Sequence, residues 1–426
     1  MISITMIITL LILFVINVPI AFALGITSLI VLLILNDIPL ILIPQRMFTG
    51  TDSFTLIAIP FFILAGTIME KGGISEKIIE FAYALVGHIK GGLGHITVVG
   101  SMFFAGISGS AVADTAALGR ITIPEMIKRG FSKSFATGIQ STAGAIGIII
   151  PPSIIMILFG IVSDASVGQL FLGGVIPGVL IGLALMVAVY IIAKKRDYPT
   201  EERSSFRNVV KSFWSSFPAL LLPVIILGGI MLGIVTPTES AVVAVLYGLL
   251  LGFFYYKKLK LTDLPEVFYD SAKVSAMVMF LVANASVFAW VLTSQRLPQE
   301  LAEWIGSLST NPTIVLFLIA AIFLIVGTFL DTSAALIIVT PVLIPIAQVA
   351  GIDMVHLGVI SVIALAIGLA TPPVGLNLFV SAGIANVGLA EASKGLVPFL
   401  LAMVIALALL ILFPGLVLFL PNLLMN

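Results

Sequence analysis

The chain is 426 residues long, 60 % hydrophobic and 9 % charged, with 20 basic and 20 acidic side chains and no cysteine. That balance gives no electrostatic reason to bind nucleic acid, and the missing thiols exclude disulfides, thiolate metal sites and cysteine nucleophiles together. Apolar runs of about 20 residues, enough to cross a hydrocarbon core about 30 Å thick, recur from end to end without the short alternating segments of a β-barrel, so an all-α polytopic membrane protein is expected.

The amino end has no basic region before its apolar run, which reads as a retained helix rather than a cleaved signal. Residues 3–35 are too long for one untilted span, and Asn17, Pro19 and Gly25 mark either a kink or a split into two helices. Between Asn36 and Ser53, Asp37, Gln45, Arg46 and Asp52 alternate with prolines and apolar groups, as in a helix or loop near the interface. A short span at 54–69 leads to the turn EKGGISEK, with Ser75 as its expected cap, and a surface helix at 78–87 precedes the glycine-rich HIKGGLGH.

The stretch FAGISGS, ending at Ser110, sets small and polar residues inside apolar sequence, and AVADTAALGRITIP follows it to Pro124. Non-helical backbone at membrane depth persists only where protein buries it or where it lines a wet cavity. Lys90 before this stretch and Lys128, Arg129 and Lys133 after it place both flanks on the cytoplasmic side. A re-entrant hairpin with Ser108, Gly109 and Ser110 at its tip fits the short arms, although the charges alone also permit two full spans. Residues 135–162 are then interrupted at Gly147, Pro151, Pro152 and Ser153, where two prolines remove amide donors and free carbonyls that can bind a cation. A clean span at 170–193 ends in KKRDYPTEERSSFRNVVK. The pair 217–235 and 241–256 is joined by TPTES, whose Glu239 reads as a helix-start carboxylate, and is closed by KKLK.

Past the midpoint the pattern repeats. DTAALGRITIP, from Asp114, matches DTSAALIIVTP, from Asp331, and AIGIIIPPS matches AIGLATPPV, with a separation of about 220 residues in both cases. Two halves, each with a re-entrant helical hairpin and a Pro-Pro broken helix, suit a secondary transporter, in which broken helices bring helix ends and unwound carbonyls to a shared site. The candidate cation ligands are Ser108, Gly109, Ser110, Gly147 and Pro151 in one half and Gly327, Thr328, Gly368, Ala370, Thr371 and Pro372 in the other. Hydroxyl and carbonyl oxygens of this kind suit a hard ion such as Na+.

With these motifs assembled, the chain resembles a known family. FAGISGSAVADTAALG, the Pro-Pro break, FLDTSAALIIVTPVLIPIA and GLATPPVGLNLFV are similar to the large membrane subunit, M or DctM-like, of tripartite ATP-independent periplasmic (TRAP) transporters. The resemblance spans essentially the whole chain. It implies two inverted repeats in an elevator-type ion transporter fold, Na+-coupled uptake of a small organic acid such as a carboxylate, a C4-dicarboxylate or sialic acid, and a place in the bacterial inner membrane. The implied partners are a periplasmic substrate-binding protein (P subunit) and a small four-helix Q (DctQ-like) subunit, expected as a separate chain. The implied division is a first scaffold part at 1–90, a first transport motif at 91–165, a central scaffold at 166–310 containing the basic loop 194–211, a second transport motif at 311–390, and a final helix at 391–426. Arg120 departs from the pattern, which would carry a small or neutral residue there.

Candidate substrate contacts are Ser108, Ser110, Asp114, Arg120, Pro152, Ser153, Asp331 and Asn377. Several have a structural alternative. Asp114 and Asp331 are favoured as N-caps of the second hairpin arms, through the Thr115 or Thr332 amides. Arg120 can meet an anion or snorkel to the interface. Asn377 and Asn284 can touch ligand or bond between helices. A stand-alone Na+/dicarboxylate carrier is the nearest rival, and a channel or structural subunit a third reading. The GISG sequence has the form of an intramembrane serine protease, but that chemistry needs a histidine near the serine; only His356 follows, expected at the interface, so no enzyme is expected.

Overall fold

The computed structural model describes residues 2–36, 38–297, 299–300 and 311–425, and the regular elements among them are all helical. Asp37 lies outside the described residues, as does the stretch 301–310 in which the central scaffold is expected to end.

The amino-terminal run is split rather than kinked. Ile2–Val15 ends where Asn17 turns left-handed (φ 60°), and Ile20–Leu35 restarts behind Pro19. Gly25 does not break the second helix; its bare face meets the Asn284 side chain, whose amide bonds back to Phe280 O within its own helix. The short helix Leu42–Thr51 buries no side chain, as an interfacial element would. A 3-10 turn at Phe54–Ile57 runs into Ala58–Lys71, and Gly73 (φ 77°) turns the chain into Ile74–Val86. Here the reading of Ser75 as a cap is corrected: the left-handed cap position requires glycine, and Ser75 falls inside the helix with its hydroxyl buried and unpartnered.

The two repeats follow. The first hairpin is Gly92–Ser108 and Ala111–Lys128, and the first broken helix is Lys133–Gly144, a 3-10 turn at Ala145–Ile148, and Ile154–Ser163. The second hairpin is Pro312–Gly327 and Thr332–Val349, and the second broken helix is Met354–Ala370 and Leu376–Ala385. Each first half-helix packs on the hairpin of its own repeat, whereas each second half crosses to the other: Ile154–Ser163 lies on Thr332–Val349, and Leu376–Ala385 on Ala111–Lys128. The repeats therefore interlock. Asn377 is fully buried in this crossing and donates to Ser141 O at 3.1 Å.

Val167–Lys195 packs on the hairpin-bearing body, against Gly92–Ser108, Met354–Ala370 and Val397–Leu412. Outside that body, Phe206–Met231 joins Pro237–Leu250 and Ile74–Val86, Pro237–Leu250 packs on Ala58–Lys71, and the long helix Leu264–Ser294 packs on Ile20–Leu35 and Ala58–Lys71. Glu239 does begin its helix, in a reciprocal capping box with Thr236. Leu412 is followed by a 58° bend at Pro414 into Gly415–Leu424.

Two segments connect the body to its surroundings on the basic face, 87–91 and 196–205, and they are tied together. Lys90 pairs with Asp197 at 2.7 Å, and Glu201 N–H donates to Gly87 O at 3.2 Å. The Glu201 carboxylate accepts from Tyr83 Oη at 2.6 Å and pairs with Arg129 at 3.3 Å. Burial and the bond to that carboxylate push the Tyr83 hydroxyl up to about 12, so it stays a donor at neutral pH. Tyr198 packs tilted against Phe131 and edge-on to Phe135, with centroids 4.4 and 5.1 Å away, and bonds Ser132 Oγ at 2.9 Å.

The Glu201 side chain is 9 % exposed and that of Asp197 92 %. Glu201→Ala is therefore expected to cost about 2 kcal/mol through its hydrogen bond to Tyr83, whereas Asp197→Ala should leave the thermal unfolding midpoint within error, because exposed pairs contribute little. A Glu201→Ala midpoint equal to that of the unsubstituted chain would show that the ties carry no stability.

Candidate functional site

At the tip of the first hairpin the chain must reverse within three residues. Gly109 does so at φ 63°, where a side chain is also blocked because a Cβ would stand 2.8 Å from Pro152 O. The tip thus lies directly on the Pro-Pro break. Ser110 caps the second arm, its Oγ accepting from Ala113 N–H at 3.4 Å, and its own N–H donates to Ser108 Oγ at 3.2 Å.

Asp114 is not the cap expected from its motif. The helix begins at Ala111, one turn before it, so the carboxylate points inward from the first turn and is completely buried. Ser108 Oγ donates to its Oδ1, and Oδ2 has no partner. Oδ2 faces Gly147, where any Cβ would collide with it and would also stand 3.1 Å from Ser110 O. Asp114, Ser108 and the Ser110 carbonyl thus converge on the 3-10 turn containing Gly147, and no ion pair offsets the carboxylate among the described residues.

The second half forms an uncharged counterpart. A Cβ on Gly368 would stand 2.7 Å from Gly327 Cα, so hairpin and broken helix touch backbone to backbone. Thr328 Oγ1 and Thr371 Oγ1 donate to Ile325 O and Ile367 O, each at 2.7 Å, which leaves their oxygen lone pairs free to accept a cation. Gly375 N–H reaches Thr328 O at 3.4 Å across the break. Ala370 is buried at the end of its helix, whereas Pro372 is exposed; Pro151, its counterpart, is buried. Asp331 does cap its helix, but through Ser333 N–H at 2.9 Å rather than through Thr332.

A cavity of about 550 Å³ lies where the parts meet. Four helix amino ends open on it, those beginning at Ala111, Ile154, Thr332 and Leu376. Each end carries free amide hydrogens and the positive pole of its helix, so together they form a place for an anion. Gly109, Ser110, Asp331, Thr332 and Ser333 line it, and the opposite wall includes Phe22, Met277 and Phe280.

Other predicted contacts lie elsewhere. Pro152 is buried in the break, and Ser153 is committed there, donating to Ile148 O at 2.6 Å and capping Ile154–Ser163. Asn377 ties the repeats together. Arg120 is exposed and acts electrostatically on Glu70 of the neighbouring span. His356 stands in the first turn of Met354–Ala370, which Asp353 caps, so it does lie at a helix edge; it is buried against the protein, and its Nε2 meets Leu410 O at 3.0 Å. The Ser108 hydroxyl is engaged with Asp114. Sequence reasoning missed the hydroxyls of Thr332 and Ser333, which the DTS triplet does display, and the apolar wall, which nothing in the sequence distinguishes from any other span.

Gly147→Ala is expected to destabilise the fold by about 1–3 kcal/mol through overpacking against Asp114. Adding Asp114→Ala should recover part of the lost thermal stability, and a purely additive loss would remove the contact from the account.

Residues 7–416 match the family described as "Tripartite ATP-independent periplasmic transporter, DctM component". The C4-dicarboxylate TRAP transporter large permease protein DctM of Pseudomonas aeruginosa is 42 % identical over 377 residues, 88 % of each chain. The sialic acid TRAP transporter large permease protein SiaM of Vibrio cholerae is 41 % identical over 405 residues, 95 % of each chain. The isethionate TRAP transporter permease protein DctMQ of Oleidesulfovibrio alaskensis is 42 % identical over 396 residues, 93 % of this chain and 62 % of that protein. Among solved structures, the YdaH transporter of Alcanivorax borkumensis superposes with a TM-score of 0.57 at 15 % identity, covering 88 % of this chain and 87 % of that one, a likeness of fold alone.

Proposed function

The chain belongs to the DctM family of TRAP large permeases, and from that premise we propose that it takes up a small organic acid by Na+ symport, in an elevator movement across the bacterial inner membrane. It is a multi-pass permease subunit and not an enzyme. Its family implies a small membrane partner and a periplasmic binding protein. In the proposed cycle the binding protein delivers the acid, and Q is the small four-helix membrane subunit.

The convergence of four helix amino ends on one cavity carries the organic-acid reading. Amide hydrogens and helix poles bind a carboxylate without the bulk of a basic side chain, and among the described residues no lysine, arginine or histidine lines the cavity.

Na+ coupling is supported by the oxygens beside the cavity. The unpartnered Asp114 Oδ2, with Ser108 Oγ and Ser110 O near Gly147, forms a donor set suited to a hard monovalent cation, and among the described residues no group of three acidic or histidine side chains offers a transition-metal site. Na+ bound there would offset the Asp114 charge. The neutral oxygens of Thr328, Thr371 and the Gly327–Gly368 contact are the proposed second site. Neither site lies within one helix: each joins a hairpin to a broken helix, so a bound ion would hold the tip against the break. The interlocked repeats favour movement as a unit, because Ile154–Ser163 and Leu376–Ala385 each grip the opposite repeat.

Uptake of labelled acids into proteoliposomes that hold the chain with its Q partner should require both an inward Na+ gradient and the binding protein. Uptake driven by the gradient without the binding protein would make this a stand-alone carrier. Asp114→Asn, Ser108→Ala and Thr371→Ala should each raise the Na+ concentration for half-maximal uptake, by about tenfold for the charged position. An unchanged Na+ titration in all three would refute the ion sites.

A further inference from the structure

The cavity has two unlike walls. On the hairpin side stand the four helix amino ends with every polar side chain that lines it, Ser110, Asp331, Thr332 and Ser333. The facing wall comes from Ile20–Leu35, Ala58–Lys71 and Leu264–Ser294 and is entirely apolar; Phe22, Ile63, Met277 and Phe280 form part of it, with Phe22 and Phe280 in ring contact at 5.0 Å.

Thr332 and Ser333 are 5 % and 9 % exposed, and neither hydroxyl has a hydrogen-bond partner among the described residues. Two hydroxyls of otherwise buried residues thus open on the cavity at a helix amino end, placed to donate to an acceptor, and a carboxylate supplies it.

We propose that the substrate is a monocarboxylate with an apolar body, its carboxylate held by Thr332, Ser333 and the helix amino ends and its hydrocarbon laid against the facing wall. The proposal rests on the organic-acid reading of the cavity and narrows it. A second carboxylate would find no cationic side chain among the cavity-lining residues and would meet either hydrocarbon or Asp331, itself an acid. Burying such a charge unpaired is unfavourable in either place. A polyhydroxylated acid would leave its hydroxyls against the same apolar wall. An aliphatic body gains there instead, with each buried methylene worth about fourfold in affinity.

The test uses the full chain with its Q partner in nanodiscs containing Na+, with thermal stabilisation as the readout and 4-methylpentanoate, succinate and N-acetylneuraminate as probes. Stabilisation by 4-methylpentanoate is expected at concentrations at least about tenfold below those of the other two. Equal or better stabilisation by succinate or N-acetylneuraminate would overturn the proposal while leaving the organic-acid reading intact. Stabilisation by none of the three would overturn both. Met277 is 65 % exposed and Val274 46 %, so either position accepts a longer side chain without repacking a core. Met277→Arg and Val274→Arg each place a cation on the apolar wall and should move the preference toward succinate by about tenfold. An unmoved preference in both would show that this wall does not meet the substrate, which also overturns the proposal.

Discussion

A helix that stops inside an apolar environment must find partners for the peptide groups it frees, and this chain stops helices there at two hairpin tips and two Pro-Pro breaks. The solutions are local. Ser110, Ser153 and Asp331 cap the restarted helices at their amino ends, and Gly375 N–H crosses to Thr328 O. Such short-range bonds need backbones almost in contact, which Gly109, Gly147, Gly327 and Gly368 allow. Once both hairpin tips press on both breaks, four amino ends share one neighbourhood. The cavity is a consequence of satisfying the backbone, and its attraction for an anion follows from the same groups.

The two repeats are alike in topology and unlike in charge. Aligned by sequence, Asp114 and Asp331 stand at the same motif position, yet the first arm begins one turn earlier, so one aspartate is enclosed and the other sits at the cavity edge as a cap. The first Pro-Pro pair is likewise buried and the second exposed. A duplicated architecture has thus been given one charged and one neutral set of oxygens. On the proposed reading the two ions are not interchangeable, since only one of them offsets a formal charge.

The architecture was legible because its signals are chemically conspicuous. Serine, glycine and aspartate stand out in apolar sequence, and a proline pair cannot continue a helix, so both chain reversals, both breaks and the duplication could be read directly, while the charges left the first reversal open between a re-entrant hairpin and two full spans. Register at the tips was harder. Whether an aspartate caps a helix or enters it depends on where the chain reverses: Gly109 permits an early left-handed turn, whereas Phe329 and Leu330 occupy the corresponding stretch of the second tip. Ser153 looked available for ligand, and the interhelical bond open to Asn377 had no assignable partner, because the acceptors, Ile148 O and Ser141 O, are backbone groups that no residue identity announces. The apolar wall carried no signal at all, because residues facing a cavity and residues facing lipid draw on the same alphabet.

The pairing of 87–91 with 196–205 would set a limit on the proposed travel. Between the end of Ile74–Val86 and the start of Gly92–Ser108 the chain offers only the residues from Gly87 to Gly91. Fully extended, those links reach about 20 Å. The second segment could reach further by itself, but Lys90–Asp197 and the Glu201 bonds to Gly87 and Tyr83 fasten it to the first. While those ties hold and neither helix unwinds, the shorter tether governs both. In the proposed elevator movement the base of the first hairpin would swing on a leash whose length is written in five residues, and the stroke of the body would be bounded by it.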